Sequence, residues 1–248
     1  MEGISKSFPG VKALDNVDFA LRKGDIHALV GENGAGKSTL IKVITGVYEE
    51  DAGRIALNGR PIHFKSPQEA QNSGIGTVYQ EIALCPNLTV AENMFIGRGQ
   101  NAFVQWNQMN EKATKLLSSL GIPASPTQEL SSCSLAVQQM IEIARAVDMD
   151  CKILILDEPT SSLDEDEVKK IFNLMRELKS RGVGIIFITH FIDQVYEISD
   201  KITVLRNGAL IGEYQASALP QIELISKMMG KALSDVSKIK KHEPLKSD

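Results

Sequence analysis

Short apolar runs separated by turn residues dominate the first third of the chain. Over residues 13–21, Leu14, Val17, Phe19 and Leu21 recur at mostly alternating positions, the period of a strand with one buried face, and Lys23-Gly24-Asp25 then turns the chain. Ile26–Val30 is a mainly apolar run of strand length, as in a sheet covered on both faces. Residues 53–57 and 61–64 flank Asn58-Gly59, and residues 202–205 and 210–214 flank Asn207-Gly208. Asn-Gly supplies the two positive φ angles of a type I′ turn, so both segments predict β-hairpins. The runs 76–79, 153–156 and 183–188 have the composition of parallel-core strands.

Helical spacing alternates with these strands. Over Glu165–Ser180, the residues Val168, Ile171, Phe172, Met175 and Leu178 share one face. Acidic residues crowd its start, Lys179 and Arg181 lie at its end, and Gly182 is placed to close it in a left-handed conformation. Between about 84 and 150 strand signals are scarce. Thr89-Val90-Ala91-Glu92 fits a capping box, residues 110–120 read as a helix closed by Gly121, and Val137, Met140, Ile141, Ala144 and Val147 form a stripe of helical period. The pattern predicts an α/β fold with a mixed core sheet, an antiparallel β subdomain and an inserted helical subdomain over about 84–150. Residues 234–248, with Lys238, Lys240, Lys241, Lys246 and Pro244 and no apolar period, read as a linker or tail after a domain spanning 1–233.

Composition narrows the class. A chain of 248 residues, 43% hydrophobic and 23% charged, suits one large α/β domain and excludes a disordered chain or a disulfide mini-protein. The net charge of −4 offers no footprint for general nucleic-acid binding. Cys85, Cys133 and Cys151 share no CxxC pair and read as reduced thiols, not as a zinc site. No apolar run approaches the ~18 residues of a membrane span, and the amino terminus lacks a signal segment. The expectation is a soluble cytoplasmic protein.

The strongest chemical signal is Gly31-Glu32-Asn33-Gly34-Ala35-Gly36-Lys37-Ser38, continued by Thr39, which fits GxxxxGK(S/T) between a buried strand and a helix carrying Leu40, Ile41 and Ile44. Its glycines let backbone N–H groups turn around phosphate oxygens, and the helix adds its positive end. Lys37 is the candidate bridge of the β- and γ-phosphates and Ser38 the candidate Mg²⁺ ligand. The run ending in Asp157-Glu158 places two carboxylates after a core strand, where open α/β sheets hold ligands. Asp157 could hold Mg²⁺ through water and Glu158 could polarise the attacking water; a solvated turn is the alternative. His190 and Gln80 each follow a core strand, as candidates for a γ-phosphate contact and for ordering water and touching the metal. His27, His63 and His242 carry no assigned chemistry.

In order, the phosphate loop, Gln80, Ser134-Leu135-Ala136-Val137-Gln138-Gln139, Asp157-Glu158, Ser161-Ser162-Leu163-Asp164 and His190 resemble the Walker A, Q-loop, signature, Walker B, D-loop and H-loop of ABC-transporter ATPases. The resemblance reaches to about Gly230, and its wording is closest to the ATP-binding subunits of bacterial monosaccharide importers of the ribose, xylose and galactose type. It implies ATP and Mg²⁺ as ligands and hydrolysis coupled to sugar uptake. The implied partners are a second ATPase domain, transmembrane permease subunits and, indirectly, a periplasmic sugar-binding protein, with the chain on the cytoplasmic face of the inner membrane.

The resemblance further implies that Ser134 contacts the nucleotide of the facing domain, that Asp164 of the D-loop takes part in nucleotide binding, and that Phe8 stacks on adenine. A helix cap and a buried strand phenylalanine are the bland alternatives for Ser134 and Phe8. Where the family reads LSGGQ this chain has Cys133-Ser134-Leu135-Ala136-Val137, so Leu135 and Ala136 are expected to set side chains where backbone usually approaches phosphate. The chain opens inside an apparent first strand and stops where such subunits link to a second ATPase domain, so either a piece of a two-domain subunit or a homodimerising one is expected. The rival readings are an ABC-type ATPase acting on nucleic acid or ribosomes, and a small-molecule P-loop kinase.

Overall fold

Two Asn-Gly turns behave as their sequence demands. Asn58 and Gly59 take φ of 52° and 76°, and Asn207 and Gly208 take 50° and 78°. They join β4 (Ala52–Leu57) to β5 (Arg60–Ile62) and β9 (Lys201–Arg206) to β10 (Ala209–Gln215). These coordinates are a computed structural model, which describes residues 1–97, 105–148 and 150–231; the tail reading for 234–248 lies outside them. The chain forms two units, one of residues 1–22, 26–70 and 187–248, the other of residues 23–25 and 71–186.

In the first unit, β1 (Glu2–Phe8) and β2 (Val11–Val17) lie in an antiparallel sheet of order β2-β1-β4-β5. Ile4 pairs with Val17 and Phe8 with Val11. The alternating run was expected to continue to residue 21, yet β2 ends at Val17. Asn16 there takes a left-handed φ of 51°, and the Asp18 carboxylate accepts the Gly3 amide at 2.7 Å, so the chain leaves the ladder. Strand β3 (Ile26–Val30) is buried at all five positions and pairs in parallel with β9. Helix α1 (Lys37–Ile44) follows it. Near the end of the unit, α7 (Ile192–Ile198) and α8 (Gln221–Met229) cover β9: Val195 and Leu224 join Ala28, Val30, Ile202 and Val204 in one apolar cluster.

In the second unit, β6 (Ile75–Val78) and β7 (Ile153–Asp157) run parallel with Ile75 opposite Ile153. The regular elements described between them are the helices α3 (Val90–Phe95), α4 (Trp106–Ser119) and α5 (Leu135–Val147), plus one short 3₁₀ turn. The Thr89–Glu92 capping box is closed in both directions. Helix α6 (Glu165–Ser180) spans the range its periodicity predicts, with Ile171, Phe172, Met175 and Leu178 fully buried. Short helix α2 (Pro67–Asn72) and strand β8 (Gly184–Ile188) are further regular elements; within the first unit the strands run in the order β10-β9-β3, and within the second β7 lies beside β6.

Candidate functional site

The phosphate loop belongs to the first unit. Strand β3 delivers the chain to Gly31, and the buried Ala35 anchors the loop: its amide donates to the Glu32 carbonyl at 3.1 Å and its carbonyl accepts from Gly208 at 3.0 Å. Two glycines are required by packing rather than by a ligand. A Cβ on Gly31 would lie 2.3 Å from the Leu205 carbonyl oxygen, and one on Gly36 would lie 2.7 Å from that of Ala13. Gly34, at a left-handed φ of 81°, faces open space instead.

Helix α1 starts without help from a side chain. Gly36 is its N-cap, no side chain caps it, and its first turn carries no acidic residue. By contrast, α5 and α6 are capped by Ser134 and Asp164, and α6 opens on Glu165, Asp166 and Glu167. The amino end of α1 therefore keeps an unneutralised positive dipole where the loop opens. Lys37 bends back into the same loop and donates to the carbonyls of Gly31 at 2.7 Å and Glu32 at 3.0 Å. Glu32, Asn33, Gly34 and Ser38 are exposed and Thr39 half-buried.

Phe8 closes β1 half-buried, its ring edge-on to Tyr48 at 5.1 Å between centroids. Lys6 lies 5.9 Å from the Phe8 ring and Lys42 5.4 Å from the Tyr48 ring. Tyr48 carries no signal of its own in the sequence. His190 is exposed beyond β8, its ring 4.0 Å from that of Phe191. Of the unassigned histidines, His27 is buried and bonded to the Thr203 hydroxyl at 2.7 Å, while His63 lies just beyond β5, outside the strand its pattern suggested.

Asp157 and Glu158 belong to the second unit. Leu154, Ile155 and Leu156 are fully buried, and Asp157 ends their strand half-exposed. Glu158 follows at a left-handed φ of 51°, an unfavourable conformation for a side chain of its size, and buried Pro159 ends the extended run. Asp164 caps α6, its carboxylate accepting the Glu167 amide at 2.8 Å. Gln80 lies two residues past β6 and is exposed. Ser134 is exposed at the head of α5, where its hydroxyl accepts the Val137 amide at 3.4 Å.

One expectation for the signature segment is corrected. Leu135 does stand outward, 40% exposed, but the Ala136 methyl is fully buried, because helical periodicity turns it into the apolar stripe of α5. Of the two side chains replacing glycine, only Leu135 reaches the exterior. The residues that fix the loop beyond Gln80, namely Asn93, Glu142 and Arg145, are absent from the sequence reading. The available signal was a glutamate lying inside an otherwise apolar helical face.

The sequence profile of the ABC transporter family matches residues 14–161. The galactofuranose transporter ATP-binding protein YtfR of Escherichia coli (strain K12) is 56% identical over 234 residues, which are 94% of this chain and 47% of that protein. The fructose import ATP-binding protein FruK of Bifidobacterium longum is 50% identical over 242 residues, 96% of this chain and 47% of its own length. The chain spans about half the length of the curated relatives it matches. Among solved structures, a nucleotide-free ATP-binding cassette from an ABC transporter superposes with a TM-score of 0.80 at 30% identity, covering 95% of this chain and 96% of that one. The ADP conformation of MJ1267, an ATP-binding cassette of an ABC transporter, gives 0.81 at 30% identity, with coverage of 98% and 97%.

Proposed function

The chain belongs to the ABC transporter family, and from that premise we propose that it binds MgATP and hydrolyses it to ADP and phosphate to energise monosaccharide import. The observation that carries this reading is the phosphate loop with Lys37 folded onto the Gly31 and Glu32 carbonyls beneath an uncapped helix end. A triphosphate competes for that ammonium with far greater charge than two carbonyl oxygens, and the α1 dipole favours it further.

The residues divide the work. Glu32, Asn33, Gly34 and Ser38 stand exposed at the mouth of the loop that runs from Gly31 to Thr39, and Phe8, edge-braced by Tyr48, offers a ring face to the base. Ser38 and Asp157 supply hard oxygen donors suited to Mg²⁺, which when bound would neutralise phosphate charge. Among the described residues no group of His, Cys, Asp and Glu forms a ready-made cation cluster. The Gln80 amide oxygen would touch the metal as well, with phosphate oxygens and water as further ligands. Glu158 takes the role of base toward water, with His190 and Gln80 orienting the γ-phosphate and the attacking water. Ser134 serves the nucleotide of a facing ATPase domain, either a second copy or a fused relative, and Asp164 takes part in nucleotide binding.

Residues 1–233 act as one ABC ATPase domain with a helical subdomain over about 84–150. The partners are transmembrane permease subunits fed by a periplasmic sugar-binding protein, with this chain on the cytoplasmic face of the inner membrane. Among the described residues no helix is long and apolar enough to cross a membrane. The relatives' names point to a sugar as the cargo. Neither nucleic-acid binding nor a small-molecule kinase reaction gains support from any feature of the site.

The test is direct. Purified chain should bind ATP with magnesium dependence and release phosphate, and proteoliposomes carrying it with its permease should accumulate labelled monosaccharide only when ATP is supplied to this chain. Absence of magnesium-dependent nucleotide binding rejects the reading.

A further inference from the structure

The loop that follows Gln80 is gripped twice, each time at both polar groups of one residue. The Ala83 amide donates to Glu142 Oε1 at 3.2 Å, and the Ala83 carbonyl accepts from Arg145 Nη1 at 3.3 Å. Two residues on, the Cys85 amide donates to Asn93 Oδ1 at 2.7 Å and its carbonyl accepts from Asn93 Nδ2 at 2.9 Å. Glu142 and Arg145 stand one turn apart on α5, and Asn93 stands on α3. Between the end of β6 at Val78 and the first grip at Ala83 lies the short stretch that holds Gln80.

Glu142 is an expensive way to hold a backbone amide. It is 7% exposed, and its second oxygen, Oε2, has no hydrogen-bond partner; the same holds for Nε2 of Gln139 one turn earlier. Burial pushes its carboxyl above the usual carboxylate range, against the opposing pull of the Ala83 amide and of Arg145. An apolar side chain would fit the stripe formed by Met140, Ile141, Ile143 and Ala144 at lower cost. A residue that breaks the local rule without stabilising the fold marks a functional constraint.

Helix α5 begins at Leu135, capped by Ser134, and continues without a break to Val147. A displacement imposed on its head is carried along its axis to Glu142 and Arg145, and through them to Ala83. We propose that Glu142 and Arg145 are positioning residues that couple the Ser134 end of α5 to the loop bearing Gln80, so that engagement of Ser134 by a facing nucleotide adjusts Gln80 for hydrolysis. This rests on the ATPase reading given above. Asn93 holds the far end of the loop to α3, so the adjustable span is the one that contains Gln80.

The experiment uses the full chain with MgATP and compares Glu142→Ala, Glu142→Gln and Arg145→Met for nucleotide affinity, steady-state kcat and KM, and amide exchange over residues 80–85. Glu142→Ala should keep ATP affinity within about twofold and lower kcat on the order of tenfold, the range of a modest coupling between sites. It should also abolish the change in Ala83 exchange on adding MgATP. Glu142→Gln, which keeps an acceptor for the Ala83 amide, should restore both. Should Glu142→Ala fail to fold, Arg145→Met at a half-exposed position must give the same split between kcat and KM. Wild-type turnover matched by a folded Glu142→Ala or Arg145→Met overturns the coupling and leaves the ATPase reading intact, as does a glutamine variant that folds but does not recover. A wild-type chain that binds no MgATP overturns the ATPase reading and the coupling with it.

Discussion

The Lys37 ammonium donates a 2.7 Å hydrogen bond to the carbonyl oxygen of Gly31, the first residue of the loop it closes. The same group thus holds the loop in shape and is the charge that a phosphate would recruit. Lys37→Ala should lower ATP affinity at least a hundredfold, as loss of a charged phosphate contact does. It should cost the fold only about 1 kcal/mol, because the side chain is half-exposed. Nucleotide titration and urea unfolding of the same sample separate the two effects; retained affinity would remove Lys37 from the site.

Glu158→Gln should bind ATP normally and turn it over on the order of 10²–10⁴ times more slowly, the range for losing a general base. The left-handed φ of 51° persists in that variant. Glu158→Asn, which suits this backbone region better, should be equally inactive and no less stable. Single-turnover hydrolysis and thermal unfolding check both, and undiminished turnover in either variant would exclude Glu158 as the base.

Two glycines of one loop should respond differently to alanine. Gly36→Ala combines a φ of 105° with a Cβ placed 2.7 Å from the Ala13 carbonyl, so about 1–2 kcal/mol of backbone strain adds to about 1–3 kcal/mol of overpacking. Gly34→Ala meets no atom within 4 Å and should cost about 1 kcal/mol. Equal losses in urea unfolding would mean that packing against Ala13 does not hold the loop.

The Glu142 carboxyl is raised by burial, so between the unfolded value near ~4.3 and its raised folded value the native chain binds more protons than the unfolded one. Stability contributed by that proton is present below this interval and lost as pH rises through it. Glu142→Gln has no such loss. It should match the wild type in unfolding free energy at about pH 4 and exceed it at pH 7–8; a wild-type advantage at neutral pH would contradict the burial argument.

Burial pushes the Cys151 thiol up to about 11 and also raises that of Cys133, whereas Cys85 is exposed. Because the thiolate is the nucleophile, iodoacetamide at pH 8 should label Cys85 well before Cys151. Peptide mass mapping over a time course reads the order, and early labelling of Cys151 would contradict its placement.

What could be read from the sequence is what short-range rules dictate. Strand β3, helix α6, the capping box at Thr89 and both Asn-Gly hairpins follow from a period, a cap or a turn pair within a few residues. The phosphate loop and the Asp157-Glu158 strand end were legible because their chemistry is written contiguously. Helices α2 and α7 were not, since each is under two turns long; α2 buries only Ala70, and no side chain caps α7. Helix α8 carried Pro220 at its start and Gly230 in a left-handed conformation at its end, a signal that periodicity alone passes over. The grip on Ala83 joins residues about sixty positions apart, and no local rule reports a contact of that span.

The two hairpins share one dipeptide yet differ in what leans on them. At Asn58-Gly59 nothing lies within 4 Å of where a Gly59 Cβ would stand. Gly208 instead donates to Ala35 and accepts from Asp15, pressed against the Ala13 carbonyl. A backbone cut or a grafted insertion at 58–59 should leave nucleotide capture intact, because no atom packs against the bend where a Gly59 Cβ would stand. The same surgery at 207–208 would knock out a strut beneath the loop that begins at Gly31. For a tag, a dye or a permuted terminus, the open turn at Asn58-Gly59 is the expected place and the braced turn at Asn207-Gly208 the one to leave alone.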